Sequence, residues 1–580
     1  MTTTSLTLRQ QLAQKLMIDI RRFDDKPVTQ LPAELAHLIA SSGLGGVILF
    51  AENCQSSSQI QQLTSQLQQA AAQSPAQLPL IISIDQEGGR VVRLPRSQAS
   101  GFAGHMAIGA TQAAHGHRFA TLTGDVLGTE LSALGINCNH GPTLDVNNNP
   151  ANPVINVRAF GEDPKVVAQL GQAQLQAMQQ QGVIATIKHF PGHGDTAVDS
   201  HTGLPRVVHP RCHLEQCELL PFKRLIATGQ VEMVMTAHIQ FPALDNSTLA
   251  TDNGDLITAP ATMSRLILTD LLRGELGFNG VVITDAMDMA GIAQYFSPTQ
   301  AVINAFAAGV DIALMPLRVR TAEDLSLIDK LLDGLEAAVL QQLLDADEIN
   351  ASCQRIISLK QRFDLAKPVS PAQLSTVNQP QHQQWQAELA AAAITELGGS
   401  APALPQQGSI AIVMPRLEQA QALANSLTPL LTDDVSFECA ALLDMDEALV
   451  RWQQHSPQLL ISGFIWPKPG PAELGGMEDI ARLQQLADRY QPALLEPLFS
   501  ALNSVPTIFV ALRTPYGAQA FAPNAAWRLA TFADHLDSKP GETAFGYSYQ
   551  ALAQVIAGHS KATGQSPVSL SAVNETEEQQ

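Results

Sequence analysis

Short runs of consecutive apolar residues alternate with longer amphipathic stretches through about the first 360 residues. Each apolar run predicts a strand buried on both faces, as in a sheet that helices cover on both sides. The predicted strands are Gly46–Phe50, Leu80–Asp85, Gly135–Asn139, Val183–His189, Glu232–His238, Gly280–Asp285 and Asp311–Met315, with a further one at Leu16–Ile20. The stretches between them predict helices, among them Ser57–Gln73, Gly116–Leu134, Val166–Gln181 and Met263–Leu276.

The alternation of strands and helices predicts a parallel sheet and an α/β fold. Eight strands favour a (β/α)8, TIM-like barrel over residues 1–365, and a doubly wound open sheet is the alternative. Residues 366–398 are Gln- and Pro-containing and then Ala-rich, which predicts a linker and a docking helix, Gln384–Leu397. Apolar runs at Ser409–Met414, Gln458–Phe464 and Thr507–Leu512 predict a second α/β domain over 399–565, and 566–580 is expected to be a disordered tail.

Charge and composition narrow the classes of partner. The chain has 34 Lys and Arg against 54 Asp and Glu, a formal net charge of −20, which disfavours nucleic acids and anionic membranes. No apolar run approaches the roughly 20 residues of a membrane-spanning helix. The N-terminus carries no secretory signal and the six cysteines are scattered. We therefore expect a cytoplasmic protein with reduced thiols.

Polar and glycine-rich segments follow several predicted strands, at the end of a barrel where active sites lie. The strongest is Lys188–Pro205, KHFPGHGDTAVDSHTGLP. Within it, Asp199 stands two residues before His201, so on extended backbone both side chains point the same way. The carboxylate can then fix the imidazole tautomer and leave the other ring nitrogen to move a proton.

Two alternatives stay open for this histidine-rich segment. Its histidines can simply cap or solvate the backbone, or they can bind a metal ion. The spacing fits neither HExxH nor a Cys/His zinc pattern, so neither a metal nor another cofactor is expected.

Three other segments offer candidate site residues. GVVITDAMDMAG places Asp285 directly after a strand, where it can act chemically or cap a helix, and Asp288 is the rival carboxylate. IDQEGGRVVRL holds Asp85 and two arginines, and its glycines match no phosphate-binding loop. NVRAFGEDP offers Arg158, which in isolation is more typical of a surface ion pair.

Together these segments resemble family 3 glycoside hydrolases, specifically the bacterial β-N-acetylglucosaminidases of peptidoglycan recycling. The resemblance covers about residues 10–365 and also includes GPTLDV, MTAHI and PATMS. Its most specific part is KHFPGHGDTAVDSH, because the family's β-glucosidases lack this histidine dyad. The C-terminal region resembles the αβα sandwich of two-domain members.

The resemblance implies a retaining, two-step hydrolysis of terminal β-linked GlcNAc. Asp285 matches the nucleophile, His201 the general acid/base and Asp199 the residue that orients that histidine. Asp85, Arg93, Arg158, Lys188 and His189 match sugar-binding residues. Many close members have a second aspartate after the nucleophile, where this chain has Ala286.

Alternative functions keep the same residues. A phosphorylase would pass the glycosyl group to phosphate, since a histidine acid/base repels an anion less than a carboxylate does. A non-catalytic sugar sensor and a metal-dependent hydrolase are further alternatives. In each case the expected partner is a small GlcNAc-containing carbohydrate, with no obligate protein partner.

Overall fold

The N-terminal half of the protein is built on a closed parallel barrel. The computed structural model describes residues 6–197, 199–200, 203–474, 483, 486–539, 541 and 544–570. The barrel strands within these residues are β1 Leu16–Asp19, β2 Gly46–Leu49, β3 Ile81–Ile84, β4 Cys138–Asn139, β5 Ile184–Phe190, β6 Met233–Thr236, β7 Val281–Ile283 and β8 Ala313–Leu314. All eight lie where the apolar runs predict them.

The strand order decides between a barrel and an open sheet. Neighbouring strands run β7-β6-β5-β4-β3-β2-β1-β8, and every pairing is parallel. A parallel bridge between Ile283 and Ile312 joins the two ends of this sheet. The predicted (β/α)8 barrel is therefore confirmed, and the doubly wound alternative is wrong.

Helices surround the barrel. They are Leu8–Gln14, Ala33–Ser42, Ser57–Ala72, His105–Ala110, Gln112–His115, Arg118–Ala133, Pro164–Gln180, Arg211–Gln216, Leu219–Ile226, Ala290–Ala293, Pro298–Ala308, Ser326–Leu340 and Ala346–Arg362. The predicted helix Met263–Leu276 is π-helical over Leu266–Glu275. Local sequence sets the start of helix Pro164–Gln180: the Asp163 side chain accepts from the Lys165 N–H at 2.7 Å, and Pro164 occupies the first turn.

A second sheet forms the C-terminal domain. Its strands are β9 Thr395–Gly399, β10 Gly408–Met414, β11 Val435–Ala441, β12 Leu459–Phe464, β13 Thr507–Ala511 and β14 Trp527–Ala530. Their order is β9-β14-β13-β12-β10-β11, parallel except for the β9–β14 pair. The helices are Leu417–Leu427, Asp446–Gln454, Pro471–Leu474, Leu495–Ala501, Ala518–Phe521 and Tyr547–Ile556.

Alternate residues of the inner strand β10 face two different apolar layers. Ile410 and Ile412 pack with one cluster, and Ala411 and Val413 pack with the other. A strand alternates its side chains between the two faces of a sheet. Both faces are therefore covered, as the αβα sandwich requires.

The linker prediction needs one correction. The expected helix Gln384–Leu397 instead spans Pro380–Ala393, and Thr395–Gly399 is strand β9. The alanine run favours a helix, but the β-branched pair Ile394 and Thr395 begins an extended segment. Thr395 pairs with Ala530 of β14, so the C-terminal sheet begins before residue 399.

The predicted tail also differs over its first five residues. The Glu162 N–H donates to the Pro567 carbonyl at 3.1 Å, and Ser569 N–H donates to the Glu162 carboxylate at 2.9 Å. Val568 is buried. Residues 566–570 thus pack against the barrel, while 571–580 lie outside the described residues. None of the helices in the described ranges combines the length and apolar character needed to cross a membrane.

Candidate active site

A pocket opens at the carboxyl ends of the barrel strands. Its lining joins apolar side chains, among them Phe50 and Met235, with a ring of polar ones. The polar lining includes Asp85, Arg93, Arg158, Lys188, His189, His193, Ser200, Asp285 and Asp288. Seven of the eight site residues predicted from the sequence are described, and six of them line this one pocket, because the parallel strands bring their ends together at one edge.

Gln86 holds the loop after β3 in place. Its N–H donates to the Asn139 side-chain oxygen at 2.9 Å, and its own side-chain oxygen accepts from the Arg93 N–H at 2.9 Å. Gln86 is fully buried. This bracing sets the positions of Asp85 and Glu87 on either side of it.

Glu87 is the centre of a buried charge network. Its carboxylate accepts from Arg158 Nε at 2.9 Å and Nη2 at 2.8 Å, and lies 2.7 Å from Lys188 Nζ. Burial opposes its ionisation, but the two cations outweigh burial and hold the pKa of Glu87 well below its ordinary value. Glu87 therefore stays an anion and fixes both cations.

Lys188 also contacts Asp85 at the pocket wall. Its Nζ donates to Asp85 Oδ1 at 2.8 Å. Burial opposes the charge of each group, but Asp85 and Glu87 raise the pKa of Lys188, and Lys188 leads the groups that lower the pKa of Asp85. Both therefore stay charged, and Asp85 keeps acceptor capacity for a ligand hydroxyl.

Asp145 orients His189 from behind. His189 Nδ1 lies 2.7 Å from Asp145 Oδ2, and the His189 and His193 N–H groups donate to Oδ1 at 3.1 and 2.7 Å. Burial opposes ionisation of the Asp145 carboxylate, but His189 and His193 hold the pKa of Asp145 below its usual range. The carboxylate thus accepts a hydrogen bond from the Nδ1–H of His189, and Nε2 of the same ring faces Arg158 Nη2, 3.5 Å away.

The loop after β5 packs closely on the barrel. A Cβ at Gly194 would lie 1.6 Å from the Val146 carbonyl oxygen, so only glycine fits there. His193 is buried between the hydroxyls of Thr196 and Ser200, each 2.9 Å from a ring nitrogen. Burial and the neighbouring His189 lower the pKa of His193 to about 4, so its ring is neutral near pH 7.

Only half of the predicted acid/base pair lies in the described chain. Asp199 is buried, 9% exposed, and its neighbour Ser200 lines the pocket. His201 lies outside the described residues, so its position relative to Asp199 stays a prediction.

Asp285 follows β7 and faces the pocket. Its Oδ1 accepts from the Ala286 N–H at 2.8 Å. The rival Asp288 also lines the pocket, rather than facing solvent, and pairs with Arg318 at 2.8 Å. His238 contacts the same turn, with Nε2 3.0 Å from the Ala286 carbonyl oxygen.

Arg93 links the pocket to the C-terminal domain. Its guanidinium donates to the carbonyls of Ala472 at 2.8 Å and Glu473 at 2.9 Å. Glu473 in turn pairs with Arg90 at 2.7 Å and Arg513 at 2.8 Å. The predicted sugar ligand Arg93 therefore anchors a segment of the second domain at the pocket rim.

That segment also reaches the loop that carries Asp199. A methyl group added at Gly470 would lie 3.5 Å from Asp199 Oδ2. Ala472 lines the pocket. The C-terminal domain thus contributes to the site, a role that the sequence left open.

Sequence reasoning missed Glu87, Asp145 and Ala472. Glu87 lies in the same glycine-rich run as Asp85, and Asp145 lies in GPTLDV after a strand. Both residues could have been found by searching for charged side chains close to the carboxyl ends of the predicted strands. Ala472 gives no such signal, because an alanine side chain carries no functional group.

The fold and the site together define a barrel enzyme whose pocket holds charged and imidazole groups suited to a small, polar substrate. The family model described as "Glycosyl hydrolase family 3 N terminal domain" matches residues 7–359. The chain therefore belongs to glycoside hydrolase family 3, as the sequence motifs predict, and is a glycosidase.

Individual relatives extend this match beyond the barrel. Beta-hexosaminidase A of Pseudoalteromonas piscicida is 43% identical over 581 residues, which are 97% of this chain and 97% of the relative. The beta-hexosaminidase of Tolumonas auensis is 35% identical over 304 residues, 52% of this chain and 81% of that one. A family 3 beta-N-acetylglucosaminidase structure from Paenibacillus sp. str. FPU-7 has a TM-score of 0.80 and 30% identity, covering 98% of this chain and 100% of that chain.

Proposed function

We propose that this protein is a retaining exo-β-N-acetylglucosaminidase that removes terminal β-linked GlcNAc. The observation that carries the proposal is that Asp285 shares one pocket with Asp85, Lys188 and His189. The 43% identity to a protein named beta-hexosaminidase A over nearly the whole chain supports the same substrate class.

Asp285 is the proposed nucleophile. It would attack the anomeric carbon and form a covalent glycosyl-enzyme, which water then hydrolyses with retention. Asp85 and Asp288 share the pocket and form ion pairs with Lys188 and Arg318 respectively.

His201 is the proposed acid/base, with Asp199 as its orienting partner. As imidazolium it would protonate the leaving oxygen, and as neutral imidazole it would take a proton from water. An unperturbed imidazole pKa of about 6.5 suits both half-reactions near neutral pH.

The remaining polar residues form the proposed sugar cradle. Asp85 can accept from ring hydroxyls, and Lys188, His189 and Arg158 present nitrogen atoms around it. Arg93 would contribute indirectly, because it holds the segment with Ala472 and Glu473 beside the pocket. Ala472 lines the same pocket, so a segment of the C-terminal domain would lie beside the bound sugar.

The biological substrate that fits best is a peptidoglycan fragment bearing terminal GlcNAc, handled in the cytoplasm. The family motifs of the first 365 residues support this source, and the scattered cysteines are typical of a reducing compartment.

Hydrolysis of 4-nitrophenyl β-N-acetylglucosaminide, compared with the β-glucoside, tests the proposal. We expect a clear preference for the N-acetyl substrate, and no stimulation by phosphate. GlcNAc-1-phosphate as the main product in phosphate buffer would instead identify a phosphorylase. Equal rates on both glycosides would contradict the proposed substrate class.

A further inference from the structure

A cluster of histidine and carboxylate groups lies beside the catalytic loop and outside the pocket. His209, His213 and Glu218 each bring one potential ligand atom, and these three atoms lie within 4.8 Å of one another. None of the three residues lines the active-site pocket. They come from the approach to helix Arg211–Gln216, from that helix, and from the residue before helix Leu219–Ile226.

Asp195 of the catalytic loop contacts the same cluster. Its Oδ2 pairs with His209 Nε2. The His209 and His213 rings lie 4.2 Å apart between centroids, and His213 Nε2 is 4.0 Å from Glu218 Oε1. One carboxylate and two imidazoles therefore converge on one small volume, and Asp195 borders it through its contact with His209.

Glu218 supplies an independent sign of a ligand. Its side chain is 1% exposed, and Oε1 accepts from Asn148 at 3.1 Å. Oε2 is buried and has no hydrogen-bond partner among the described residues. A buried carboxylate oxygen without a partner is costly, and a bound cation removes that cost.

We propose that His209, His213 and Glu218 bind one divalent transition-metal ion of the Zn²⁺ class, with Asp195 positioning His209. Imidazole and carboxylate ligands suit zinc, nickel and copper better than magnesium or calcium. Side chains of His209 and His213 are 35% and 44% exposed, so they have room to close on the ion.

Such an ion would anchor the loop that carries the proposed acid/base pair. Glu218 already packs beneath this loop, since a Cβ at Gly192 would lie 2.7 Å from Glu218 Cβ. Asp195 is four residues before Asp199. The ion would therefore fix the back of the loop without taking part in the reaction.

Equilibrium dialysis of the full-length protein against Zn²⁺, with metal analysis, tests the site. Wild type should retain one Zn²⁺ per chain, which the double variant His209→Gln/His213→Gln loses. The control His115→Gln/His117→Gln removes two exposed histidines elsewhere and should retain the ion. Excess Mg²⁺ should not displace it.

A second comparison separates this site from zinc bound at the pocket. His201→Asn should keep the ion if the proposal is right, and should lose it if the acid/base pair is the zinc ligand. Retention of the ion by His209→Gln/His213→Gln, or no binding by wild type, would overturn the proposal. Zn²⁺ should also raise the thermal midpoint of wild type and leave that of the double variant unchanged.

Discussion

Glu87 and Arg158 form a two-pronged ion pair beneath the pocket, with nitrogen–oxygen distances of 2.9 and 2.8 Å. Both side chains are at most 4% exposed. Because Glu87 also contacts Lys188 at 2.7 Å, one carboxylate holds the two cations that face the proposed sugar.

Replacing Glu87 with Gln should therefore destabilise the barrel. Removing one partner of a buried ion pair leaves the other charge uncompensated, which costs about 3 kcal/mol. Chemical unfolding would measure this loss. The matched control is Glu348→Gln, whose pair with Arg265 is about half exposed and should cost under about 1 kcal/mol. An equal loss of unfolding free energy in the two variants would show that the buried ion pairs of Glu87 stabilise the protein no more than an exposed pair does.

Asp285→Ala should abolish turnover of 4-nitrophenyl β-N-acetylglucosaminide, by about 10⁴-fold or more, since loss of a nucleophile removes the covalent route. Circular dichroism should show an intact fold. Asp288→Ala, beside Arg318 in the same pocket, should keep most of the activity. The reverse ranking of the two variants would move the nucleophile to Asp288.

His201→Ala should slow substrates with poor leaving groups far more than those with good ones. A good leaving group departs with little protonation, whereas an alkoxide needs the proton that His201 supplies. Rates on a series of aryl and alkyl N-acetylglucosaminides measure this difference. An equal loss across the series would count against the acid role.

Arg93→Lys should weaken substrate binding more than it slows the chemical step. Lysine cannot reproduce the two hydrogen bonds from Arg93 to Ala472 and Glu473, and one lost charge-assisted bond corresponds to about a tenfold rise in KM. Steady-state kinetics separate KM from kcat. An unchanged KM would mean that the pairs of Glu473 with Arg90 and Arg513 hold the segment unaided.

His140 should make the protein less stable in mild acid. It is fully buried, neither ring nitrogen has a partner among the described residues, and burial lowers its pKa to about 4. An unfolded histidine titrates near 6.5, so between these values the unfolded chain binds more protons. Stability is therefore full above about pH 6.5 and falls as the pH drops towards 4.

The variant His140→Phe removes this titration. Between pH 7 and pH 5 it should lose about 2 kcal/mol less unfolding free energy than wild type does. Urea unfolding at the two pH values measures the difference. His37→Phe changes an exposed histidine and should keep the wild-type pH dependence. A wild-type slope in His140→Phe would place the acid sensitivity at other groups.

The apolar runs alone predicted all eight barrel strands, because a parallel strand covered on both faces must be apolar throughout. Helix Pro380–Ala393 ends just before the β-branched pair Ile394 and Thr395. The high helix propensity of the alanine run led to the prediction of a helix that continues to Leu397. Local preference could not decide there, since the pairing of Thr395 with Ala530 joins residues 135 positions apart.

The sequence also determined which segments bear the chemistry, since Asp85, Lys188, His189 and Asp285 all lie at the carboxyl ends of predicted strands and meet in one pocket. Only the tertiary structure decided how they are used. It placed Glu87 between Arg158 and Lys188, turned Arg93 towards the second domain and brought Ala472 to the rim. Strand periodicity is local and can be recognised in the chain, whereas ion pairs and domain contacts depend on distances that only the folded protein defines.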